Sequence, residues 1–412
     1  MPKQDVKFSV LLPTLNRLQY LKYAVETVLR QDYDNWELII SDNCSEENIA
    51  EYVESLHEPR IKYYRTEKFI SVTDNWNNAL DKSTGEYILM LGDDDCLLRG
   101  YFETVRELLE RYELPDFIYT NALQYCYPGV MPTFPDGYLQ PSGWAPFFQQ
   151  VTDSYLLDRK AAFQLVKGSL NMKVRFGFNT QNTLISRKII DSLRRKGKFY
   201  QSQFPDYYAT NVLFLTAQRI LICPKAVVAT GISPKSYGFY YFNHRENEGV
   251  DYLKGENSSE RLAEVVMPGE YMSTGFLLAM EKIKENYGAE FKLRVNYRRY
   301  RTMQIFNAYE KFYVLNLWSQ EDFQRFKQFM KPWERWVYGF SILCIYTFKN
   351  KAARPARKLV DGIFQLLLGR TFDNYLAARL GREPYWDEKR TIGYRNILEV
   401  FEEVDPVLPI AE

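Results

Sequence analysis

Three consecutive carboxylates, Asp93, Asp94 and Asp95, follow the apolar run Tyr87–Leu91 in the stretch YILMLGDDDCLLR. Adjacent negative charges repel one another unless a cation or strong donors gather them. Hard oxygen ligands of this kind suit Mg²⁺ or Mn²⁺, often shared with a substrate phosphate. The alternative is a solvated acidic turn. A second polar end, Ser41-Asp42-Asn43, closes the apolar run Trp36–Ile40. Asp42 there is able to accept a hydrogen bond from a nucleobase N–H, or else serves as a turn residue or helix N-cap. Asp206 follows Pro205 ahead of the apolar stretch Ala209–Ala217, where Pro and Asp also make a helix-capping pattern.

The elements that must position these groups alternate. Phe8–Leu12, Trp36–Ile40, Ile61–Tyr64, Tyr87–Leu91 and Phe117–Thr120 read as strands, with helices expected over Leu18–Leu29, Glu47–Leu56, Thr73–Lys82 and Tyr101–Tyr112. Thr73 or Asp74 is the expected N-cap of the third helix. Strands alternating with helices build a parallel sheet with right-handed crossovers, and ligands bind beyond the carboxyl ends of its strands. Asp42 and the Asp93–Asp95 triplet then meet on one sheet edge.

Over about Phe8–Tyr119 the chain resembles the nucleotide-sugar half of the family 2 inverting glycosyltransferases. FSVLLPTLNR, ELIISDNCS and GEYILMLGDDD carry the resemblance, in this order. It implies the GT-A fold: a Rossmann-like mixed, mostly parallel sheet flanked by helices, here with a C-terminal helical region. It also implies a nucleotide-sugar donor, with a UDP-sugar first, and Mn²⁺ or Mg²⁺ as cofactor. Pro13, Thr14 and Asn16 match the loop near the nucleoside, and Asp42 matches the aspartate that binds the base. Asn77 matches the asparagine of an Arg-Asn pair, with Trp76 in place of the arginine. Gly92 falls at the first aspartate of the DxD motif and Asp94 at the second, so Asp93 and Asp94 are assigned to the donor and Asp94 and Asp95 to the metal. Asp206 matches the catalytic aspartate, a general base that takes the proton of the attacking acceptor hydroxyl. Asp153 is its reserve, and Asp191 reads as solvated. His244 is either a further metal ligand, as a late histidine is in some GT-A enzymes, or structural.

Composition narrows the choice. With 53 basic and 52 acidic residues the net charge is +1, which argues against nucleic acid as a partner. Five cysteines without CxxC spacing and only two histidines give no zinc signature and no disulfide framework, which fits a reducing cytosol. The expected location is cytoplasmic, including the cytoplasmic face of the inner membrane. The expected divisions are 1–125 for the donor half, 126–260 for the acceptor half with its loops, and 261–412 for the helical region. Tyr127–Trp144 reads as an excursion over the site, Asn179–Ser186 as an acceptor-side strand, Ile220–Thr230 as one or two strands and Ser236–His244 as a loop or lid. Helices are expected over Thr274–Tyr287, Phe291–Trp318 and Gln320–Phe329. Within Lys331–Lys358, seven basic residues accompany Trp333, Trp336 and other apolar groups against one acid, Glu334. Such a stretch, extended to about residue 370, suits an anionic membrane surface, or else packs on the catalytic domain or on a second copy of the chain. The acceptor expected is a glycan or a lipid-linked saccharide. The rival readings are a sugar-phosphate nucleotidyltransferase and a catalytically inactive scaffold or glycan-binding protein. LPTLNR lacks the glycine-rich basic loop that the former needs.

Overall fold

The alternating runs of the first third form β1 (Phe8–Thr14), α1 (Leu18–Leu29), β2 (Trp36–Asp42), α2 (Ile49–Ser55), β3 (Ile61–Arg65), α3 (Val72–Lys82) and β4 (Tyr87–Met90). Every residue of β2 and β4 is buried, which is why both read as mainly apolar runs rather than alternating ones, with Glu37 the one charge inside the run of β2. In α1, Leu21, Ala24, Val25 and Val28 recur at helical spacing and are buried in the same cluster as Val10, Leu12, Leu38 and Ile40. Then come β5 (Cys96–Leu97), α4 (Tyr101–Arg111), β6 (Phe117–Cys126), β7 (Tyr138–Pro141), β8 (Tyr155–Leu156), α5 (Arg159–Leu170), β9 (Thr183–Ser186), α6 (Arg187–Leu193), α7 (Pro205–Thr216), β10 (Ile220–Ile232) and α8 (Tyr237–Phe242).

This computed structural model describes residues 5–131, 134–142, 145–246, 248, 265–269, 271–313, 316–336, 362, 366 and 393–404. The sheet order is β3-β2-β1-β4-β9-β6-β10-β5, with β7 beside β6 and β8 beside β10. β3, β2, β1 and β4 are mutually parallel, as are β6 and β10, while β9 runs antiparallel between β4 and β6. The sheet is therefore mixed and mostly parallel, flanked by helices, as expected.

Several boundaries differ from the sequence reading for identifiable reasons. β1 and β2 each run two residues past their apolar runs, because the parallel ladder continues through Pro13 opposite Ser41 and Thr14 opposite Asp42. The N-cap of α3 is Ser71, whose hydroxyl accepts from the Asp74 N–H at 3.0 Å, so the helix begins before Thr73. Only Thr183–Ser186 of the expected Asn179–Ser186 strand is extended, after a 3-10 turn at Thr180–Asn182. β10 is one strand, with irregular register between Cys223 and Val228. Ser236–His244, read as a loop or lid, contains α8.

The chain clusters into two compact units. One comprises Met1–Val166, Arg175–Gly255 and Glu388–Glu412, the other Lys167–Val174 and Glu256–Asp387. β6 crosses the expected division at residue 125, and the C-terminal helix Ile397–Glu403 groups with the first unit. The second unit contains the helices Tyr271–Phe291, Tyr297–Tyr313 and Gln320–Gln328, so the expected Phe291–Trp318 helix starts later and stops earlier. Phe323, Phe326 and Met330 pack there with Ile305, Phe306 and Tyr309. Most of the basic aromatic stretch Lys331–Lys358, from residue 337 on, lies outside the described residues, as does much of 245–260. Among the described residues, no helix is long and apolar enough to cross a membrane.

Candidate active site

The carboxyl ends of β1, β2, β4, β6 and β10 share one sheet edge, and antiparallel β9 brings its amino end, with Gln181 and Asn182 just before it, to the same edge. The triplet lies directly after β4. Asp93, Asp94 and Asp95 are all buried, at 3%, 6% and 2% exposure, which removes the solvated-turn alternative. Each is held by different partners. Asp93 accepts from the Thr14 hydroxyl (2.7 Å) and from the Arg17 guanidinium (2.8 Å). Asp94 Oδ2 accepts from the Ser233 hydroxyl (2.6 Å) and backbone N–H (3.2 Å), with Arg17 at 3.6 Å. Asp95 folds back onto backbone, accepting from the N–H groups of Gly92 (2.6 Å) and Gly231 (2.7 Å), with the Gln181 side chain close enough to favour its charged form.

Two glycines make that packing feasible. A Cβ at Gly231 would stand 1.7 Å from the Asp94 carbonyl oxygen, and one at Gly92 would stand 2.5 Å from an Asp95 carboxylate oxygen. Gly92, which departs from the aspartate expected at its position, thus leaves the space that Asp95 fills. The Arg17 guanidinium meets Asp93 and Asp94 but balances only one charge of the triplet, so two negative charges remain when all three ionise. Burial, with Asp94 beside it, raises the Asp95 carboxyl to about 7. Burial raises Asp93 too, with Asp94 adding to the effect and Arg17 opposing it.

This excess of buried negative charge fits a divalent cation. Among the described residues no three His, Cys, Asp or Glu side chains form a group able to enclose a metal, so His244 belongs to no such set. His244 follows α8 at φ +58°, with its N–H donating to the Tyr241 carbonyl at 3.2 Å. A cation here would take few protein oxygens and complete its shell from phosphate and water, the usual manner of holding Mg²⁺. The Asp94 Oδ1 accepts no hydrogen bond from the described residues.

Asp42 is fully buried at the end of β2. Its Oδ1 accepts from the Ser45 N–H (2.9 Å) and its Oδ2 from the Tyr63 hydroxyl (2.6 Å), with Arg65 Nε at 3.6 Å. The turn role read from sequence is therefore present, and each oxygen keeps a further lone pair for another donor. Asn16 joins this turn to the loop after β1: its N–H donates to the Ser45 hydroxyl (2.9 Å), and its Oδ1 accepts from the Glu46 N–H (2.7 Å). Asn16 takes φ +53°, a conformation asparagine tolerates. Half-buried Pro13 sits between Leu12 and Thr14 in β1. Asn77 faces elsewhere. Its amide donates to the Thr73 and Tyr200 carbonyls, both at 2.9 Å, and its oxygen accepts from the Tyr200 N–H at 3.1 Å. Trp76 packs edge-on against the Tyr200 ring. Trp76 and Asn77 together clamp the segment that leads to Asp206.

Asp206 is the second residue of α7, after Pro205 at the first position. It accepts from the Tyr207 N–H at 2.9 Å. The helix start would by itself favour the charged carboxylate. Desolvation wins, and the carboxyl rises to about 7. Tyr200 and Tyr207 lie near it, within an aromatic group in which Phe204 stacks on Tyr207, Tyr237 meets Phe204 edge-on, and Phe178 meets Tyr207 at 5.0 Å. Thr210, one turn after Asp206 and on the same helix face, donates to the Phe178 carbonyl at 2.8 Å. That face therefore addresses the segment whose Gln181 reaches Asp95. Asp153 and Asp191 are exposed.

Residues 9–128 match the family model described as Glycosyl transferase family 2. This part of the chain is a family 2 glycosyltransferase domain. The chain is 33% identical over 140 residues to the putative colanic acid biosynthesis glycosyl transferase WcaA of Escherichia coli K12, covering 32% of this chain and 50% of that protein. It is 36% identical over 104 residues to the GalNAc(5)-diNAcBac-PP-undecaprenol beta-1,3-glucosyltransferase of Campylobacter jejuni, covering 24% and 34%. The chain thus spans half or less of the length of these relatives. Among solved structures it is similar to S. aureus TarS 1-349 in complex with UDP-GlcNAc, at 14% identity and TM-score 0.44, over 73% of this chain and 79% of that one. The family 2 domain includes Asp42 and the Asp93–Asp95 triplet. The groups that hold the triplet from β10, Gly231 and Ser233, lie beyond it. Arg17 was visible in LPTLNR as the loop's single base, whereas nothing in the sequence marks Gly231, Ser233 or Gln181.

Proposed function

We propose that this protein transfers a sugar from a nucleoside diphosphate donor to a hydroxyl of a glycan or lipid-linked saccharide, with inversion at the anomeric carbon. The observation that carries the reading is the pairing of a buried acidic cluster at the sheet edge with Asp206, a separate carboxyl whose proton affinity is set near neutrality. An acceptor hydroxyl is a weak nucleophile until a carboxylate takes its proton, and a base whose pKa lies near the working pH does so most effectively. As Asp206 accepts that proton, the hydroxyl oxygen bonds to the anomeric carbon and the bond to the departing diphosphate breaks on the opposite face. Asp42, with Pro13, Thr14 and Asn16 nearby, would receive the nucleoside, uridine being the first base to test. Asp94 and Asp95 would hold Mg²⁺ or Mn²⁺, which supplies neutralisation of the charge on the leaving diphosphate when bound. Arg17 and Thr14 keep Asp93 in place beside them. The lipid-linked acceptor has support from the Campylobacter relative, whose name places its acceptor on undecaprenol diphosphate.

The test is a thermal-shift panel of nucleoside diphosphates and sugar nucleotides with and without Mn²⁺, on wild type and Asp94→Ala. Stabilisation by one nucleotide that needs Mn²⁺ and disappears in the variant supports the donor site and names its base. Should no nucleotide raise the melting temperature at saturation, the donor reading is wrong, and an inactive scaffold takes its place.

A further inference from the structure

The second unit carries a local charge surplus in a chain whose overall charge is only +1. Between residues 325 and 336, Arg325, Lys327, Lys331 and Arg335 accompany a single acid, Glu334. The fold withdraws that acid from the surface. Glu334 is 3% exposed, and its two oxygens accept from Arg301 at 2.6 and 2.7 Å. It also accepts from the Lys331 backbone N–H at 2.7 Å, closing the short helical turn 332–336 from within. Lys331, Pro332 and Arg335 stay exposed. So do large apolar groups: Phe329 at 52%, Trp333 at 50% and Trp336 at 76%. Trp333 and Trp336 are three residues apart in that turn, so they share a face. Phe323, Phe326 and Met330 are buried in the helical core, so the turn stands on a packed base.

We infer that residues 327–336 are a docking surface for an anionic phospholipid bilayer. Indole rings settle at headgroup depth, and lysine and arginine beside them gain from a negative leaflet. An acid on the same patch would oppose both effects, and Glu334, the acid present, is spent on Arg301. A second copy of the chain fits less well, because an isologous contact would set Lys331 and Arg335 against identical positive charges. This inference draws on the lipid-linked acceptor only for its purpose, and its test needs neither donor nor acceptor.

The experiment is co-sedimentation of the full chain with vesicles of phosphatidylcholine alone and of phosphatidylcholine with phosphatidylglycerol, at low and high salt. Binding is expected only to the phosphatidylglycerol vesicles, weakening as salt rises. At roughly fivefold per basic residue, Lys331→Glu with Arg335→Glu should lower the binding constant by tenfold or more. Trp333→Ser with Trp336→Ser should lower it comparably. Unchanged melting temperatures would show that both double variants remain folded. Equal binding to both vesicle types, no binding to either, or full binding by both variants would overturn the inference. So would a concentration-dependent dimer abolished by the tryptophan substitutions, which would make the patch a self-interface. Nucleotide-induced thermal shifts, measured on the same samples, keep a failure here separate from a failure of the glycosyltransferase reading.

Discussion

Replacing Asp206 with Asn separates the cost of burying a carboxylate from its use as a base. The folded chain holds the Asp206 carboxyl at about 7 against an ordinary value of 3.8, so folding favours its protonated form. The stability this group contributes is complete below the ordinary value and is lost as pH rises through 7. At about 1.4 kcal/mol per tenfold change in proton affinity, wild type should lose about 3 kcal/mol from this group between roughly pH 5 and pH 8. Because the side chain is half-buried, water access reduces that to about 1–3 kcal/mol. Asn carries no such penalty. Asp206→Asn should therefore gain on wild type by that amount across the interval, seen as about 2–4 °C in melting temperature per kcal/mol. Catalysis should move the other way, with kcat falling about 10²- to 10⁴-fold. Wild-type kcat/KM should rise with pH through a midpoint near 7. Paired thermal melts and initial-rate measurements over the same buffers decide both points. A stability difference that stays flat with pH refutes the desolvation argument, and an Asn variant retaining activity within about tenfold of wild type refutes the base assignment.

Four further outcomes follow from the same geometry. Arg17→Met leaves Asp93 buried beside Asp94 with no guanidinium, and should cost about 3–5 kcal/mol in denaturant unfolding as well as donor binding. Gly231→Ala forces a methyl group onto the Asp94 carbonyl, so Mn²⁺-dependent nucleotide stabilisation should vanish in the thermal-shift assay even where the fold survives. Asn77→Ala frees the Tyr200 backbone and should lower kcat more than it weakens nucleotide binding, which steady-state kinetics beside calorimetry would resolve. At the opposite sheet edge, buried Glu37 is desolvated, yet bonds from Lys62, Thr84, Ser9 and Lys7 outweigh this and bring its carboxyl down to about 2. Its contribution is present above the ordinary value of 4.5 and lost as pH falls through 2, so Glu37→Gln should cost about 1–3 kcal/mol near pH 7 and progressively less in acid unfolding.

β1 and β4 were legible because burial on both faces leaves a largely apolar run, and the polar residues at the ends of β2 and β4 announced the functional edge. What a one-dimensional reading missed is set by contacts distant in sequence. Ser233 reaches Asp94 across 139 residues and Gly231 reaches Asp95 across 136. Neither stands in a motif, since each acts through a backbone N–H, a small hydroxyl or the absence of a side chain. Asn77 shows the reverse: its position in a motif suggested a donor contact, while its amide is engaged by Tyr200, 123 residues away. The tightness of α3 against that segment, sealed by Trp76, follows from an aromatic pair whose members look like ordinary core residues when read alone.

Acidity alone does not separate Asp95 from Asp206, for burial brings both to about 7. Their surroundings do. A general base must turn a lone pair toward an incoming hydroxyl, and Asp95 is pinned in one orientation by the Gly92 N–H on one oxygen and the Gly231 N–H on the other. Releasing either would leave a buried backbone donor unpaired, at about 1–3 kcal/mol. Asp206 is held by the N–H of its own neighbour, Tyr207, through Oδ1, and desolvation raises its proton affinity without occupying its other oxygen. Asp95 is thus fixed in place by the backbone, while Asp206 retains the hydrogen-bonding capacity that proton transfer requires. The division of labour between the two carboxyls follows from how each is satisfied.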